Sequence, residues 1–447
     1  MCTIAVPEPP VFSLFRSAFT TAATFLRARL LGVAAILTTG RRTVRNLLRT
    51  VADLTDGDPS SYHRVLSFAQ WSMLTLASLL ARFILQHFWP EGTVRLVGDD
   101  TVTEHPGRKV HGKARHRDPV RSSHSYTAWR WGHKWVVLAV LVRFPFAGRP
   151  WALPVLVALY RSPEDNRNRG RPHRTPAQLM QLLLRVLLRW FPDRQFLFAG
   201  DQNYGSHEMA TLAQRTHNRL HVVSKFYANA NLYEPPPAYA GNGRPRVKGA
   251  KLPTPQQVVA TARRTRLNVA WYGGGRRDVE VVTGTGYWYK GGQGLVPVRW
   301  VYVHDLSGSH RDEYFYSTDL TLTAQQIIEE YTGRWNIETT FEESRAYLGL
   351  ESTRGWCERT VGRAEPCLLG LYSVVALMYG SLPAEEQEQG GVEWEGKATV
   401  TFSDTVTAVR RWLWTRWVFT RAGHANTFAK LPDAFRQLLL YALAPSA

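Results

Sequence analysis

Cysteine is nearly missing from this chain: Cys2, Cys357 and Cys367 are the only three in 447 residues, and they do not cluster. An odd, scattered set excludes a disulfide framework and a cysteine-based zinc site, and fits a reducing compartment. The fourteen histidines form no Cys/His grouping, so zinc is not expected. Acid is scarce relative to base. The 36 Asp and Glu face 55 Lys and Arg, giving a net charge of +19 and a field that favours polyanions, nucleic acid first. Long uninterrupted apolar runs are lacking too. The best candidate, residues 18–39, carries Arg27 and Arg29 at its middle, and the first fifteen residues hold Glu8, Pro9 and Pro10 with no basic cluster before an apolar run. No membrane span and no secretory signal are expected, which leaves a cytoplasmic protein with no membrane partner.

The length suits two to four sub-domains. Residues 1–91 read as a helical unit in which Gly40 separates an apolar helix from a basic one bearing Arg41, Arg42 and Arg45, the outline of a DNA-reading element. Residues 92–206 read as three strands, a helix running from Pro176 to Phe191 and a fourth strand, with Asp99-Asp100 and Asp201 at the ends of the first and fourth strands. Acids at strand ends in a mixed α/β layer face a common cleft. Residues 207–313 are irregular and punctuated by glycine pairs, as β-hairpins would be. Residues 314–382 return to long helices, including one predicted over 320–350, and 383–447 carry an acidic loop followed by Trp-rich helices.

The 320–350 helix holds Tyr331, Arg334, Glu338 and Arg345. At about 100° per residue these four share one stripe, a carboxylate flanked by guanidinium groups, beside an apolar stripe of Ile337, Phe341 and Leu348. Glu342 lies on the same stripe, so helical geometry alone does not choose between it and Glu338. Asp100, Asp201 and Glu338, from separate elements, supply the hard oxygen ligands that Mg²⁺ prefers. A pair of such ions can activate an attacking oxygen and stabilise the leaving one in phosphodiester displacement. Elsewhere, Lys134, the run from Arg167 to Arg174, and Arg244 to Lys251 are candidate phosphate contacts, and Trp288, between Tyr287 and Tyr289, is a candidate for stacking on an extruded base.

Asp99-Asp-Thr101, Gly200-Asp-Gln-Asn-Tyr-Gly205 and Tyr331-x2-Arg334-x3-Glu338-x6-Arg345 resemble the three acidic motifs of the DDE transposases of bacterial insertion sequences, in the branch with a Tyr-Arg-Glu-Lys signature. The resemblance runs from about Arg41 to Tyr379. It implies a ribonuclease-H-like mixed sheet interrupted by a β-rich insertion between the second and third acids. It also implies that Asp100, Asp201 and Glu338 bind two Mg²⁺ or Mn²⁺ ions, and that Tyr331 and Arg334 contact DNA. Asp100 is preferred because the family's first acid commonly precedes Thr, with Asp99 as the alternative, and Glu338 is chosen over Glu342 by the signature spacing. Arg345 stands where the family usually has Lys, keeping the charge but changing its shape. The activity implied is binding of terminal inverted repeats of double-stranded DNA, cleavage and joining of 3′ ends to a target, through hairpin ends and with a homodimer as the active complex, in a bacterial cytoplasm at the nucleoid. The same acids would serve a nuclease that does not join ends, and the basic N-terminal helices alone would serve a non-catalytic DNA-binding protein.

Overall fold

A computed structural model describes residues 11–118, 121–123, 125–239, 241, 243–388, 391 and 395–445. Cys2, the Glu8 to Pro10 segment and part of the acidic loop at 384–396 lie outside them.

After a 3₁₀ turn (Phe12–Ala18) the chain forms α1 (Ala22–Leu37), α2 (Val44–Thr50), α3 (Pro59–Ser67) and α4 (Met73–Phe88). Thr21, Thr43, Asp58 and Ser72 each accept a first-turn amide, the usual N-cap chemistry. The sequence pattern from about His63 to Phe88 reads as one helix, and the structure divides it into α3 and α4. Arg363 explains the break: its guanidinium takes the carbonyls of Val65, Leu66 and Ala69, satisfying the end of α3.

The strands follow: β1 (Val94–Glu104), β2 (Ala114–Arg117), β3 (Trp129–Val142) and β4 (Trp151–Tyr160). Next come α5 (Pro163–Asn168), α6 (Pro176–Trp190), β5 (Phe196–Gly200), α7 (His207–Gln214), β6 (Leu220–Lys225) and β7 (Leu232–Tyr233). The chain continues through α8 (Pro255–Thr261), β8 (Thr265–Ala270), β9 (Arg276–Lys290), β10 (Gly294–Asp305) and β11 (Glu313–Ser317). Its last third holds α9 (Ala324–Gly333), α10 (Asn336–Leu348), α11 (Glu358–Gly380), α12 (Ala384–Glu388) and α13 (Phe402–Trp412), with shorter helical pieces to Leu443.

Among the described residues, all eleven strands join one sheet in the order β2-β3-β1-β5-β6-β11-β10-β9-β7, with β4 also on β3 and β8 on β9. The core β4-β3-β1-β5-β6 is an antiparallel meander continued by two parallel pairings, β1 with β5 and β5 with β6. This is the expected ribonuclease-H-like layer. β6 lies inside the stretch read from sequence as insertion, yet it completes the core; β7 to β11 then extend the same sheet through the β11–β6 pairing.

Helices cover both faces. Gly98 backs onto Met180 of α6, where a built Cβ would sit 2.5 Å from the Met180 methyl. On the other face Arg95 pairs with Glu330 of α9 at 2.5 Å, and Thr340 of α10 donates to the Ala152 carbonyl of β4. One apolar cluster runs from the N-terminal helices through β1, β3 and β4 to α11 and α13, so the N-terminal helices share the main core. α11 is long and apolar enough to cross a membrane, but 83% of its apolar window is buried inside the protein, as befits a core helix.

Candidate active site

Strand alternation decides the fate of the two consecutive acids on β1. Successive side chains point to opposite faces. Gly98 pairs with Gly200 in the parallel β1–β5 register, which sets Asp99 beside Asp201 just past the end of β5. Asp99 faces α9 and α10, where its Oδ2 receives Nη1 of Arg334 at 2.5 Å. Nη2 of the same guanidinium donates to Oε1 of Glu338 at 2.9 Å. One arginine thus clamps Asp99 and Glu338 as a planar fork, the geometry for which arginine is suited.

Asp100 faces the other way. It receives Nζ of Lys134 at 2.8 Å and the Tyr204 hydroxyl at 2.7 Å. Asp100, Asp201 and Glu338 are therefore not brought together. Among the described residues no three His, Cys, Asp or Glu side chains are close enough to hold one metal ion. Asp99 is the first acid that shares a face with Asp201 and Glu338, and Arg334 stands between two members of that set.

The electrostatics agree with this grouping. Burial raises the Asp99 carboxyl to about 7, with Asp201 and Asp100 adding to the rise and Arg334 opposing it. Glu338 is also raised, first by burial, with Arg334 opposing and Glu342 and Asp201 adding. Desolvated neighbouring carboxylates are short of positive charge, and three hard oxygen donors on one face suit a divalent cation in chemistry, although they do not close around a common point. Asp201 is held by its own loop: its Oδ1 accepts the amides of Asn203 and Tyr204, and its carbonyl accepts the Gly205 amide and the Ser224 hydroxyl. Gly205 admits no side chain there, since a Cβ would meet Ser224 Oγ at 1.9 Å.

The signature helix is two helices. Between α9 and α10 the backbone tightens to i to i+3 bonds, including Ile337 N to Arg334 O and Glu338 N to Trp335 O. Tyr331, on α9, is buried and stacks on Phe315 with ring centroids 4.3 Å apart; it supports Arg334 from within and offers no surface to DNA. Arg345 bonds Thr101, the Val102 carbonyl and Glu351, tying α10 to β1.

Three further expectations need correction. Arg42 is buried, its guanidinium bonded to the carbonyls of Ala35, Gly40 and Tyr347, so it is a structural tie. Trp288 is buried among His207, Phe226 and Tyr316 and cannot reach a base. Lys134 neutralises Asp100 instead of standing free for a phosphate. Arg41 and Arg45 are exposed, as are the Arg167 to Arg174 segment and Arg244. Tyr204 was missed by sequence reasoning; its place four residues into the Gly200 motif was the available signal. The His217-x3-His221 spacing makes no site, because His217 lies in a turn and His221 on β6.

Residues 14–278 match the family described as DDE superfamily endonuclease, and residues 295–363 match an ISC1217-like archaeal transposase family. No curated protein sequence matches the chain. Among solved structures, the piggyBac transposase synaptic complex with hairpin DNA is similar at a TM-score of 0.42 and 11% identity, over 97% of this chain and 80% of that one. The first match spans more than half of the sequence and contains both β1 acids and Asp201; this chain belongs to the DDE superfamily endonucleases and is a transposase-type enzyme.

Proposed function

We propose that the protein binds the terminal inverted repeats of a mobile DNA element, cleaves the DNA there and joins the released 3′ ends to a target, with two copies in the active complex. The observation that carries this reading is the Asp99–Arg334–Glu338 clamp beside Asp201. Asp99, Asp201 and Glu338 would hold Mg²⁺ or Mn²⁺, which when bound activates the attacking oxygen and stabilises the leaving one. Arg334 bridges the two outer carboxylates and opposes the rise that burial gives each of them, and backbone amides of its own loop hold the Asp201 side chain. The exposed Arg41 and Arg45 on and before α2, together with the net charge of +19, support end binding by the N-terminal helices in a bacterial cytoplasm.

The test is the purified full chain with DNA carrying the element's ends and Mg²⁺ or Mn²⁺. Wild type yields cut ends and strand-transfer products, and Glu338→Gln yields neither while still binding the ends. Cut ends without joined products would assign a nuclease that does not transpose. Occupancy of the ends without any cleavage would assign a DNA-binding protein instead.

A further inference from the structure

β2 and β3 form a hairpin at the edge of the sheet, and its two faces differ. His116 points inward and is buried. The outward face carries Arg115 opposite Trp131 and Arg117 opposite Trp129. Both tryptophans are open to solvent, Trp129 at 48% and Trp131 at 59% exposure. They are covered by cations instead of apolar neighbours: the Arg115 guanidinium lies 4.6 Å from the Trp129 ring centroid and Lys113 Nζ lies 5.8 Å from that of Trp131. Trp356, 69% exposed, stands at the hairpin's base, where its carbonyl accepts the His111 amide.

Charged residues on an edge strand are an ordinary defence against unwanted pairing, which accounts for Arg115 and Arg117. It does not account for the tryptophans, whose exposure sacrifices burial that a folding chain would otherwise gain. Flat rings alternating with cations are what a single-stranded nucleic acid uses: bases stack on the rings and phosphates meet the cations. The register also places them. Asp99 pairs with Val137 and Thr103 with His133, so the odd-numbered residues of β3 belong to the catalytic face, and Trp131 and Trp129 continue that series. From Val137 to Trp131 is about 20 Å along the strand, the length of roughly six stacked nucleotides.

We infer that the β2–β3 hairpin is a stacking platform for unpaired bases of the DNA strand that enters the active site, with Trp129 and Trp131 as the rings and Lys113, Arg115 and Arg117 as the phosphate contacts. The inference rests on the DNA-cleaving reading. It adds a binding site for single-stranded DNA some six nucleotides from the scissile bond.

The test compares two probes bound to the full chain without metal: an element end as perfect duplex, and the same end with an eight-thymidine unpaired extension. Trp129→Ala/Trp131→Ala should lose at least tenfold in affinity for the extended probe and little for the duplex. Trp129→Phe/Trp131→Phe, which keeps the rings, should retain most of the extended-probe affinity. Equal affinity of wild type and the alanine variant for the extended probe overturns the platform, as does a change in oligomeric state with no change in that affinity, which would make the hairpin a protein interface. A wild type that binds neither probe better than unrelated DNA at matched salt instead removes the DNA-end reading itself, so the two failures are distinct.

Discussion

Asp99 and Asp100 are adjacent in the chain and oppositely engaged: Asp99 is gripped by Arg334 on one face of β1, and Asp100 by Lys134 and Tyr204 on the other. The two acids should therefore fail differently. Asp99→Asn should abolish DNA cleavage, by a thousandfold or more, with the fold retained. Asp100→Asn keeps the tyrosine bond but leaves Lys134 facing a neutral amide in a half-buried place, and should cost about 1–3 kcal/mol of stability. Nicking assays and urea unfolding on both variants check this; loss of cleavage in Asp100→Asn at unchanged stability would restore Asp100 as the first catalytic acid.

Arg334 bridges two desolvated carboxylates with one positive charge. Arg334→Ala leaves Asp99 and Glu338 unpaired, and removing one partner of a buried ion pair costs about 3–5 kcal/mol. Arg334→Lys keeps one charge but not the fork, and should recover only part of that loss. Thermal or urea midpoints of the three proteins give the order. Equal stability of the lysine variant and wild type would show that charge alone, not the two-pronged geometry, holds the clamp.

Much of this was legible beforehand. β1, β5 and the amphipathic α6 follow from apolar runs and turn residues, and the α/β layer follows from their order. The choice between Asp99 and Asp100 did not, because it depends on the Gly98–Gly200 register, a pairing between segments a hundred residues apart. Local pattern also misread buried polar side chains. Arg42 looks like a basic-helix residue and is a core tie to Tyr347, and Trp288 looks like an exposed hairpin aromatic and is enclosed. The reverse holds for Trp129 and Trp131: aromatic residues in a strand usually pack inward, and the cation-lined edge that exposes them exists only once β2 is paired.

Gly205 closes the turn that presents Asp201, and its α-carbon abuts the fully buried Ser224 on β6. Gly205→Ala should cost about 1–3 kcal/mol through overpacking and should lower cleavage by displacing the Asp201 loop. Ser224→Gly in the same chain makes room for the methyl and should restore part of the stability. Calorimetry on the single and double variants tests it; no recovery in the double variant would place the strain elsewhere.

The buried histidines on the β1 to β3 side make stability depend on pH. Burial lowers both His116 and His133 to about 4 from the ordinary 6.5, so in the folded protein both are neutral where the unfolded chain would already bind protons. Asp99 and Glu365, raised by burial to about 7, act in the opposite sense, but at the two histidines the unfolded state carries more protons between pH 6.5 and 4, and the stability that His116 and His133 contribute rises with pH through that window. Their contribution is complete above about pH 6.5 and is lost as pH falls toward 4, at up to about 1.4 kcal/mol per pH unit for each group. Replacing His133 by Gln, which cannot take up a proton, should remove its share, so the wild-type urea midpoint should fall from pH 7 to pH 5 relative to that of the variant. A pH dependence unchanged by that replacement would show that His133, buried beside His105, is not a source of acid sensitivity.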